Sequence, residues 1–303
     1  MGTISPSIIL GLIAMKKGFG RLRFKDYFPN PEFPFRIQRH RLNTPSIREH
    51  MHEFTELVVV LSGQGTHVTG RRAYPLAAGD VFVVAGQRAH GYRDLRDLEL
   101  VNLLFRPERL FPSTSFLRAL PGYHALFVLE PRYRRRASFR GHLRLDPASL
   151  ALATQLIVQI EREMQQRLAG HEAATVGLLL QLVTLLARRY RQVRGDAARP
   201  ILRMADTLSY LETHYAEPLR LADLAARAHL SANQFLRVFR EATGHSPIAY
   251  QIRLRVLKAA ELLRSRSCRV TEAAYTVGFN DSNYFSKQFR KTMGFSPRAC
   301  RNR

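Results

Sequence analysis

Three histidines and a glutamate in the first third of the chain have the types and spacing that metal, polar-ligand or proton chemistry requires. His50 and His52 are one residue apart, Glu56 follows four residues later, and His90 lies farther along the chain. Side chains alternate between the two faces of a strand, so a strand over this stretch puts His50 and His52 on one face. Imidazole and carboxylate groups ligate metal ions, hydrogen-bond polar ligands and transfer protons.

A second group of polar residues belongs to a motif that occurs twice. The tract FLRVFREATGHSP, which begins at Phe235, returns as FSKQFRKTMGFSP, which begins at Phe285. A match at a fixed offset indicates one structural unit used twice. Each copy predicts a short apolar helix, a tight turn and a second helix. Together these form a helix-turn-helix, whose second helix enters a DNA major groove.

Local signals position the second helix of each copy. Ser231 and Asp281 offer side-chain oxygens as N-caps, and Gly278 supplies the turn of the second copy, where a Cβ would obstruct. The paired phenylalanines of each copy predict a buried face. The opposite faces carry side chains that read base edges and neutralise phosphates, and these are Asn233, Arg237, Arg240, Ser282, Asn283, Ser286, Lys287 and Arg290.

Residues from about Ile201 to Arg301 resemble the DNA-binding domain of AraC-type transcription regulators. The most specific tract is VGFNDSNYFSKQFRK, which begins at Val277, followed by GFSP at Gly294. The resemblance implies two helix-turn-helix units joined by a long linker helix, here Pro247 to about Ser265. By position it also implies a set of base-reading residues, which are Asn233, Leu236, Arg237, Ser282, Asn283, Ser286 and Lys287. Leu236 is apolar where a polar reader is usual, so the first unit would read a thymine methyl group or little at all.

Length and charge are consistent with this prediction but do not carry it. The 303 residues suffice for two domains. A formal net charge of +23 and a pI near 11.1 favour a polyanionic partner, of which nucleic acid is the usual one. Residues 200–303 contribute a net charge of +9, and the rest of the chain contributes +14. Because the basic residues are spread over the whole chain, the repeat is the stronger evidence for DNA binding.

The two cysteines and the first residues of the chain predict a cytoplasmic protein. Cys268 and Cys300 form neither a disulfide framework nor a thiolate metal site, which fits a reducing compartment. The apolar run 8–14 is too short to cross a bilayer. Lys16 and Lys17 follow this run, which is the reverse of a secretion signal. Translation could begin at Met1 or at Met15, and neither start predicts a membrane segment.

Short apolar runs separated by glycine turns predict strands from Arg36 to about Phe105. Residues 57–61 form one such run, and a turn is predicted at Ser62-Gly63-Gln64-Gly65, before another strand at Thr66 to Thr69. Many short strands with glycine turns are typical of an antiparallel jelly-roll barrel. The histidines and the glutamate fall inside this region, so we expect them to line the barrel.

The spacing from His50 through Glu56 to Gly63 resembles the first cupin motif, and residues 79–90 have the span of the second. In metal-binding cupins the three histidines and the glutamate converge on one ion inside the barrel. The second motif departs from the cupin pattern at three positions, which are Ala85, Gln87 and Asp94. These departures favour a metal-free pocket lined with hydrogen-bonding side chains. The alternative is a metal ion held by His50, His52, Glu56 and His90.

The same region resembles the sensor domain of the L-rhamnose operon activators within the AraC family. Three tracts carry the resemblance: HMHEFTELVVV from His50, GDVF from Gly79 and LVNLLFRPERL from Leu100. Together with the C-terminal match, the resemblance covers about four-fifths of the chain. It implies a small sugar effector such as L-rhamnose, although a shared fold does not by itself specify a ligand. The effector-binding residues would be His50, His52, Glu56 and His90, which supply donors and acceptors over an apolar floor.

Between the two domains, residues 111–140 predict an irregular loop and residues 147–190 predict two helices. The loop is rich in proline and arginine, and we expect a solvated loop over the barrel, with a nucleic-acid arm as the alternative. Apolar residues recur at three- and four-residue steps over Pro147 to Leu168 and over Glu172 to about Tyr190. Related regulators use this region for dimerisation, and a dimer suits DNA with repeated half-sites.

The predicted fold is α+β, with a cupin-like barrel followed by an all-α domain. The expected order is an N-terminal extension (1–35), an effector-binding barrel (36–140), a helical dimerisation segment (141–192), a linker (193–200) and a double helix-turn-helix domain (201–303). We expect a sequence-specific transcription regulator, most simply an activator, with no catalytic residue and no cofactor. Its expected partners are double-stranded DNA, a small sugar, RNA polymerase and a second copy of the chain.

The rival prediction is a metal-binding cupin sensor, or a cupin-type enzyme, fused to a DNA-binding domain. Glu56 beside histidines has the chemistry of a general acid or base. An enzyme alone leaves the repeated helix-turn-helix motif unexplained.

Overall fold

A computed structural model describes residues 20–28, 30–86, 88–111, 115–133, 142–193, 195–196, 198–265 and 268–301. Backbone contacts divide the chain into two compact units, and both are discontinuous in sequence. One unit comprises Met1–Pro112 and Tyr133–Ala198, and we call it the sensor unit. The other comprises Ser113–Arg132 and Arg199–Arg303, and we call it the helical unit.

The sensor unit contains one hydrogen-bonded sheet. Its described strands, in chain order, are β1 (Gly20–Leu22), β2 (Phe35–Leu42), β3 (Ser46–His52), β4 (Thr55–Thr69), β5 (Arg72–Ala77), β6 (Asp80–Val84), β7 (His90–Phe105) and β8 (Leu143–Arg144). The strand path is β1-β3-β7-β4-β6-β8, with β2 paired to β7 and β5 paired to β4. The pairs are antiparallel except β1 with β3, which is parallel. The predicted sheet-rich, cupin-like fold is therefore confirmed, with a mixed sheet instead of a wholly antiparallel one.

The helices, in chain order, are α1 (Phe24–Tyr27), α2 (Pro107–Leu110), α3 (Ser115–Arg118), α4 (Pro121–Tyr123), a π-helix (His124–Leu129), α5 (Glu130–Tyr133), α6 (Pro147–Gln166), α7 (His171–Arg191), α8 (Arg199–Thr213), α9 (Leu221–Arg227), α10 (Ala232–Thr243), α11 (Pro247–Arg264), α12 (Val270–Thr276), α13 (Ser282–Met293) and α14 (Pro297–Arg301). Among the described helices, none combines the length and apolar character needed to cross a membrane.

The core of the sheet lies around the middle of β4 and β7. Val58 of β4, Phe82 of β6 and Leu100 of β7 belong to one buried apolar cluster. The predicted turn at Ser62-Gly63-Gln64-Gly65 is wrong, because β4 continues through it to Thr69 with irregular pairing to β7. Gly63 has a φ of +76°, and a Cβ there would overlap the carbonyl oxygen of Asp97. The glycine thus permits a β-bulge and a close strand contact, where the sequence suggested a chain reversal.

Helices α3 to α5 occupy most of the stretch that was predicted to be a solvated loop, and this prediction is wrong for residues 115–133. The π-helix packs against α8 and α10 of the helical unit. Ala125, Leu126 and Leu129 are fully buried, which explains why this apolar run does not remain in water. Residues 112–114 and 134–140 of the predicted loop lie outside the described residues.

A buried carboxylate ties this inserted segment to the rest of the helical unit. The side chain of Glu212, on α8, is only 1% exposed. It accepts hydrogen bonds from Arg118 Nη1 at 3.1 Å and from Tyr250 Oη at 2.7 Å. Arg118 ends α3 and Tyr250 lies on α11, so one carboxylate joins three elements that are far apart in sequence.

We expect Arg118→Met to destabilise the helical unit by about 2–3 kcal/mol. Removing one partner of a fully buried ion pair costs about 3–5 kcal/mol, because the remaining charge is left unpaired. Since the Arg118 side chain is 41% exposed, water reduces that cost. Urea unfolding followed by far-UV circular dichroism measures the change.

Arg237→Met is the matched control for this experiment. It removes the same type of side chain from the exposed Arg237–Glu241 pair, and should cost less than about 1 kcal/mol. Equal effects of the two substitutions would contradict the role assigned to Glu212.

Candidate effector pocket and DNA-contacting surface

Strand pairing brings the four predicted effector residues together inside the sensor unit. His50 and His52 lie near the end of β3, Glu56 lies near the start of β4, and His90 begins β7. His50 is directly opposite His90 in the β3–β7 register. All four side chains are buried. The cluster is thus assembled from the ends of three neighbouring strands.

Glu56 is at the centre of the cluster. His52 Nε2 is hydrogen-bonded to Glu56 Oε2 at 2.9 Å. His90 Nε2 lies 3.1 Å from the same oxygen, but without the alignment of a hydrogen bond. The ring centroids of His50 and His90 are 4.3 Å apart. One carboxylate therefore faces two imidazoles directly, with a third beside them.

Burial and these contacts set the charges of the cluster. Burial lowers the pKa of His50 to about 4, and the neighbouring His90 adds to this, so His50 is neutral near pH 7. Burial alone would raise the pKa of Glu56, but its contacts with His52 and His90 outweigh that effect. They hold the pKa of Glu56 well below its usual value, and the carboxylate is ionised.

A pocket of about 490 Å³, including its open mouth, adjoins the cluster. His50, His52 and Glu56 line it, whereas His90 contacts Glu56 without lining it. Sequence reasoning missed the other polar lining residues, which are Tyr27, Gln38, His40, Tyr92 and Asn102. The apolar part of the lining is formed by Leu22, Leu42, Ile47, Phe54, Leu100 and Leu104.

The missed polar residues follow the strand period. Gln38, His40 and Leu42 alternate along β2 and line the pocket, and Gln38 is opposite Asn102 of β7. The alternation was readable in the sequence, but which face it turned inward depended on the pairing of β2 with β7. The buried Oδ1 of Asn102 has no hydrogen-bond partner among the described residues. A polar ligand in the pocket could supply one.

One subset of the cluster also has the spacing of metal ligands. His50, Glu56 and His90 each place a ligand atom within 4.8 Å of the other two. Three departures from the second cupin motif favoured a metal-free pocket. Two of them, Ala85 and Asp94, do not belong to the set His50, Glu56 and His90. The third, Gln87, lies outside the described residues.

In the helical unit, both predicted helix-turn-helix motifs are present. The first consists of α9 and α10, and Ser231 caps α10 with Gln234 in a capping box. The second consists of α12 and α13, and the Asp281 carboxylate caps α13 by accepting from the backbone of Asn283 and Tyr284. Helix α11 is the expected linker helix between them. The paired phenylalanines of both copies are fully buried, which fixes the orientation of α10 and α13.

The predicted DNA-contacting residues lie on the outward faces of α10 and α13. Those that are exposed are Asn233, Arg237, Arg240, Asn283, Lys287 and Arg290. Those that are half-buried are Leu236, Ser282 and Ser286. The Arg237 guanidinium is 3.3 Å from Glu241 in an exposed pair. Each helix thus presents a polar stripe opposite its phenylalanine face.

The turns of the two motifs have the same backbone shape but different residues. Gly278 has a φ of +91°, and a Cβ there would overlap the backbone of Ala216, as the sequence predicted for this turn. His229 occupies the corresponding place in the first motif with a φ of +55°. It is exposed, so its side chain is accommodated there.

Comparison with known proteins agrees with this two-part architecture. Residues 32–183 match the family model of the AraC-like ligand binding domain, and residues 224–303 match that of a helix-turn-helix domain. The HTH-type transcriptional activator RhaS of Escherichia fergusonii is 34% identical over 285 residues, covering 93% of this chain and 96% of the relative. RhaS of Citrobacter koseri is 33% identical over 276 residues, covering 91% and 95%.

Among solved structures, the DNA-binding domain of AdpA, the global transcriptional factor, in complex with a target DNA, is 35% identical. The match covers 33% of this chain and 90% of the AdpA chain, with a TM-score of 0.32. A ligand-binding domain followed by helix-turn-helix units defines a one-chain transcription regulator. This chain belongs to the AraC family of such regulators.

We expect Gly278→Ala to destabilise the second helix-turn-helix by at least about 2 kcal/mol. Left-handed backbone costs a residue with a Cβ roughly 1–2 kcal/mol, and the overlap with Ala216 adds to this. The matched substitution is His229→Gly, which should change stability by less than about 1 kcal/mol. Thermal unfolding of the two variants measures the difference. A Gly278→Ala variant as stable as the original chain would contradict the assigned turn geometry.

Proposed function

We propose that this chain activates transcription by binding promoter DNA through both helix-turn-helix units, in response to a small sugar in the sensor pocket. The observation that carries the proposal is the pairing, in one chain, of a buried polar pocket with two helices that present polar stripes outward. The relatives named RhaS are transcriptional activators, which supports activation and not repression as the proposed effect on transcription. The regulator would act in the cytoplasm, where its DNA is.

The proposed base-reading set is Asn233, Leu236, Arg237 and Arg240 on α10, with Ser282, Asn283, Ser286, Lys287 and Arg290 on α13. Asn and Arg pair bidentately with adenine and guanine edges, and Lys and Arg neutralise phosphates. In the first unit, half-buried Leu236 suits contact with a thymine methyl group. The buried phenylalanines leave these outward faces as the ones available to a groove.

We expect Arg237→Ala and Lys287→Ala each to weaken operator binding by about 1–3 kcal/mol, because each removes a charged contact from a recognition helix. Fluorescence anisotropy titration with operator DNA, at one fixed salt concentration, measures the change. Arg162→Ala is the control, because it removes the same charge from an exposed position on α6 of the sensor unit. If all three variants bind equally well, the recognition helices are wrongly assigned.

The proposed effector is L-rhamnose or a related deoxysugar. A polyol needs several donors and acceptors around a small apolar floor. Besides His50, His52 and Glu56, the pocket offers Gln38 and Asn102, and leucine and phenylalanine side chains line the rest.

We expect saturating L-rhamnose to stabilise the sensor unit by about 2.7 kcal/mol at 100 times its Kd, because it binds only the folded state. Thermal unfolding against a sugar panel measures this. Gln38→Leu should lower the affinity at least about tenfold, by removing one buried hydrogen bond of about 1.5 kcal/mol. The matched control is Gln64→Leu, at an exposed position of β4. A panel in which no sugar shifts the transition would overturn the proposed effector class.

Two further partners are proposed for the active regulator. A second copy of the chain would pair through α6 and α7, because Leu152 and Val158 of α6 are exposed, as is Leu168 between the two helices. RNA polymerase would contact exposed acidic residues of the first helix-turn-helix, such as Asp223 on α9 and Glu241 on α10. Repeating the anisotropy titration with one half-site and with two tests the dimer, since a dimer gains affinity from the second half-site.

A further inference from the structure

Arg255, in the middle of the linker helix α11, binds backbone carbonyl oxygens from two distant places in the chain. Its Nε donates to Tyr215 O at 2.6 Å, and its Nη2 donates to Ala216 O at 3.2 Å and to Glu217 O at 2.9 Å. Its Nη1 donates to the carbonyl oxygen of Gly278 at 2.6 Å. A guanidinium holds its N–H donors in one fixed plane. Hydrogen bonds from such a charged donor are roughly twice as strong as neutral ones.

The two places belong to different helix-turn-helix motifs. Residues 215–217 lie in the loop between α8 and α9, and α9 is the first helix of the first motif. Gly278 forms the turn of the second motif, between α12 and α13. Arg255 therefore connects the two motifs directly, in addition to the backbone of the helix that joins them.

The same loop contacts the second motif in ways that do not involve Arg255. A Cβ on Gly278 would overlap the backbone of Ala216, so only a glycine lets the loop approach this turn so closely. The Tyr215 side chain packs against the buried apolar cluster that contains the phenylalanines of α13. One turn earlier on α11, Gln251 Nε2 donates to two of the same loop carbonyl oxygens, at 2.8 and 2.9 Å. Arg255 thus closes a contact that the surrounding residues are shaped to accept.

The arrangement of the motifs decides which two stretches of a major groove the chain can bind at once. The recognition helices α10 and α13 both pack against α11. Each base pair added between two stretches of DNA moves the second by about 3.4 Å and turns it by roughly 35°. A second module adds its full affinity only when it is already held where its own stretch of DNA lies.

We propose that Arg255 is a positioning residue for DNA recognition, which holds α10 and α13 at one fixed spacing by clamping loop 215–217 to the turn at Gly278. The clamp makes the chain selective for the number of base pairs between the two segments that it reads. This inference deepens the proposed function and rests on its statement that both motifs bind DNA. The half-buried Arg255 guanidinium faces carbonyl oxygens, so its part is to position the motifs and not to contact a base or a phosphate.

The first test measures the arrangement of the motifs without DNA. Nitroxide labels at Glu241→Cys on α10 and Lys291→Cys on α13 report the distance between the recognition helices by pulsed electron paramagnetic resonance. Both positions are exposed, and they correspond to each other in the repeat. The background is Cys268→Ser, since Cys300 is buried, and unlabelled chain is added in excess so that only distances within one chain are measured.

We expect one narrow distance distribution, which Arg255→Gln should broaden at least about twofold, because the unclamped motifs then sample several arrangements. Arg253→Gln is the matched control, since Arg253 is exposed on the same helix, and should leave the distribution unchanged. Equal widths in the two variants would overturn the proposal. If Arg255→Gln does not fold, as judged by circular dichroism, Arg255→Lys replaces it under the same criterion, because an ammonium cannot reach both the loop and the turn.

The second test measures selectivity for spacing in anisotropy titrations at one salt concentration, with a duplex that the original chain selects from a random-sequence library. One base pair inserted between the two read segments should weaken binding by the original chain at least about tenfold. Arg255→Gln should bind the unaltered duplex about tenfold more weakly, but should lose no more than about threefold further on insertion. A variant that is merely less stable would bind both duplexes more weakly by the same factor. An unchanged insertion penalty in Arg255→Gln would therefore overturn the proposal.

Replacing one read segment at a time with unrelated sequence separates this proposal from the proposed function. If the original chain loses affinity on either replacement but tolerates the inserted base pair, both motifs bind DNA and the fixed spacing is wrong. If one replacement changes nothing, binding through both motifs is wrong, and the selectivity for spacing fails with it. The label distances still show in that case whether Arg255 holds the motifs together.

Discussion

The antiparallel pairing of β4 with β7 is the interaction on which the sensor unit depends. Both are long strands, and β2, β5 and β6 pair onto one or the other. Its register sets Glu56 opposite Leu104, and the pairing of β3 with the start of β7 sets His50 opposite His90. A shift of one residue would turn every side chain of a strand to the other face. The register thus determines the buried core and the pocket together.

In the helical unit, the equivalent constraint is the burial of two phenylalanines per recognition helix. Phe235 and Phe239 of α10, and Phe285 and Phe289 of α13, are fully buried. Each of these two helices has one apolar face, formed by its phenylalanines. Burying that face turns the polar residues on the opposite side of the helix outward. The polar residues proposed to contact DNA are on that stripe. Their exposure follows from the core, and their chemistry follows from the residue types.

The inserted helices α3 to α5 make the helical unit larger than its sequence motifs suggest. Strand β7, which lines the pocket through Tyr92, Leu100, Asn102 and Leu104, ends at Phe105. Ten residues later the chain contributes α3 to the helical unit, where Arg118 binds Glu212. The chain thus passes from one unit to the other more than once, instead of through a single linker.

The sequence by itself determined the family, the repeated helix-turn-helix motifs, their caps at Ser231 and Asp281, and the outward polar stripes. These are local patterns, and helix period, capping and turn chemistry act over a few residues. Only the tertiary structure decided that β4 runs through Gly63, that residues 115–133 are helical, and that Gln38 and Asn102 line the pocket. Each of these features depends on a contact with a residue far along the chain. Gly63 lies against Asp97, and β2 pairs with β7. The free energy of such long-range contacts decides where a strand ends and which face is buried, and local sequence patterns do not contain it.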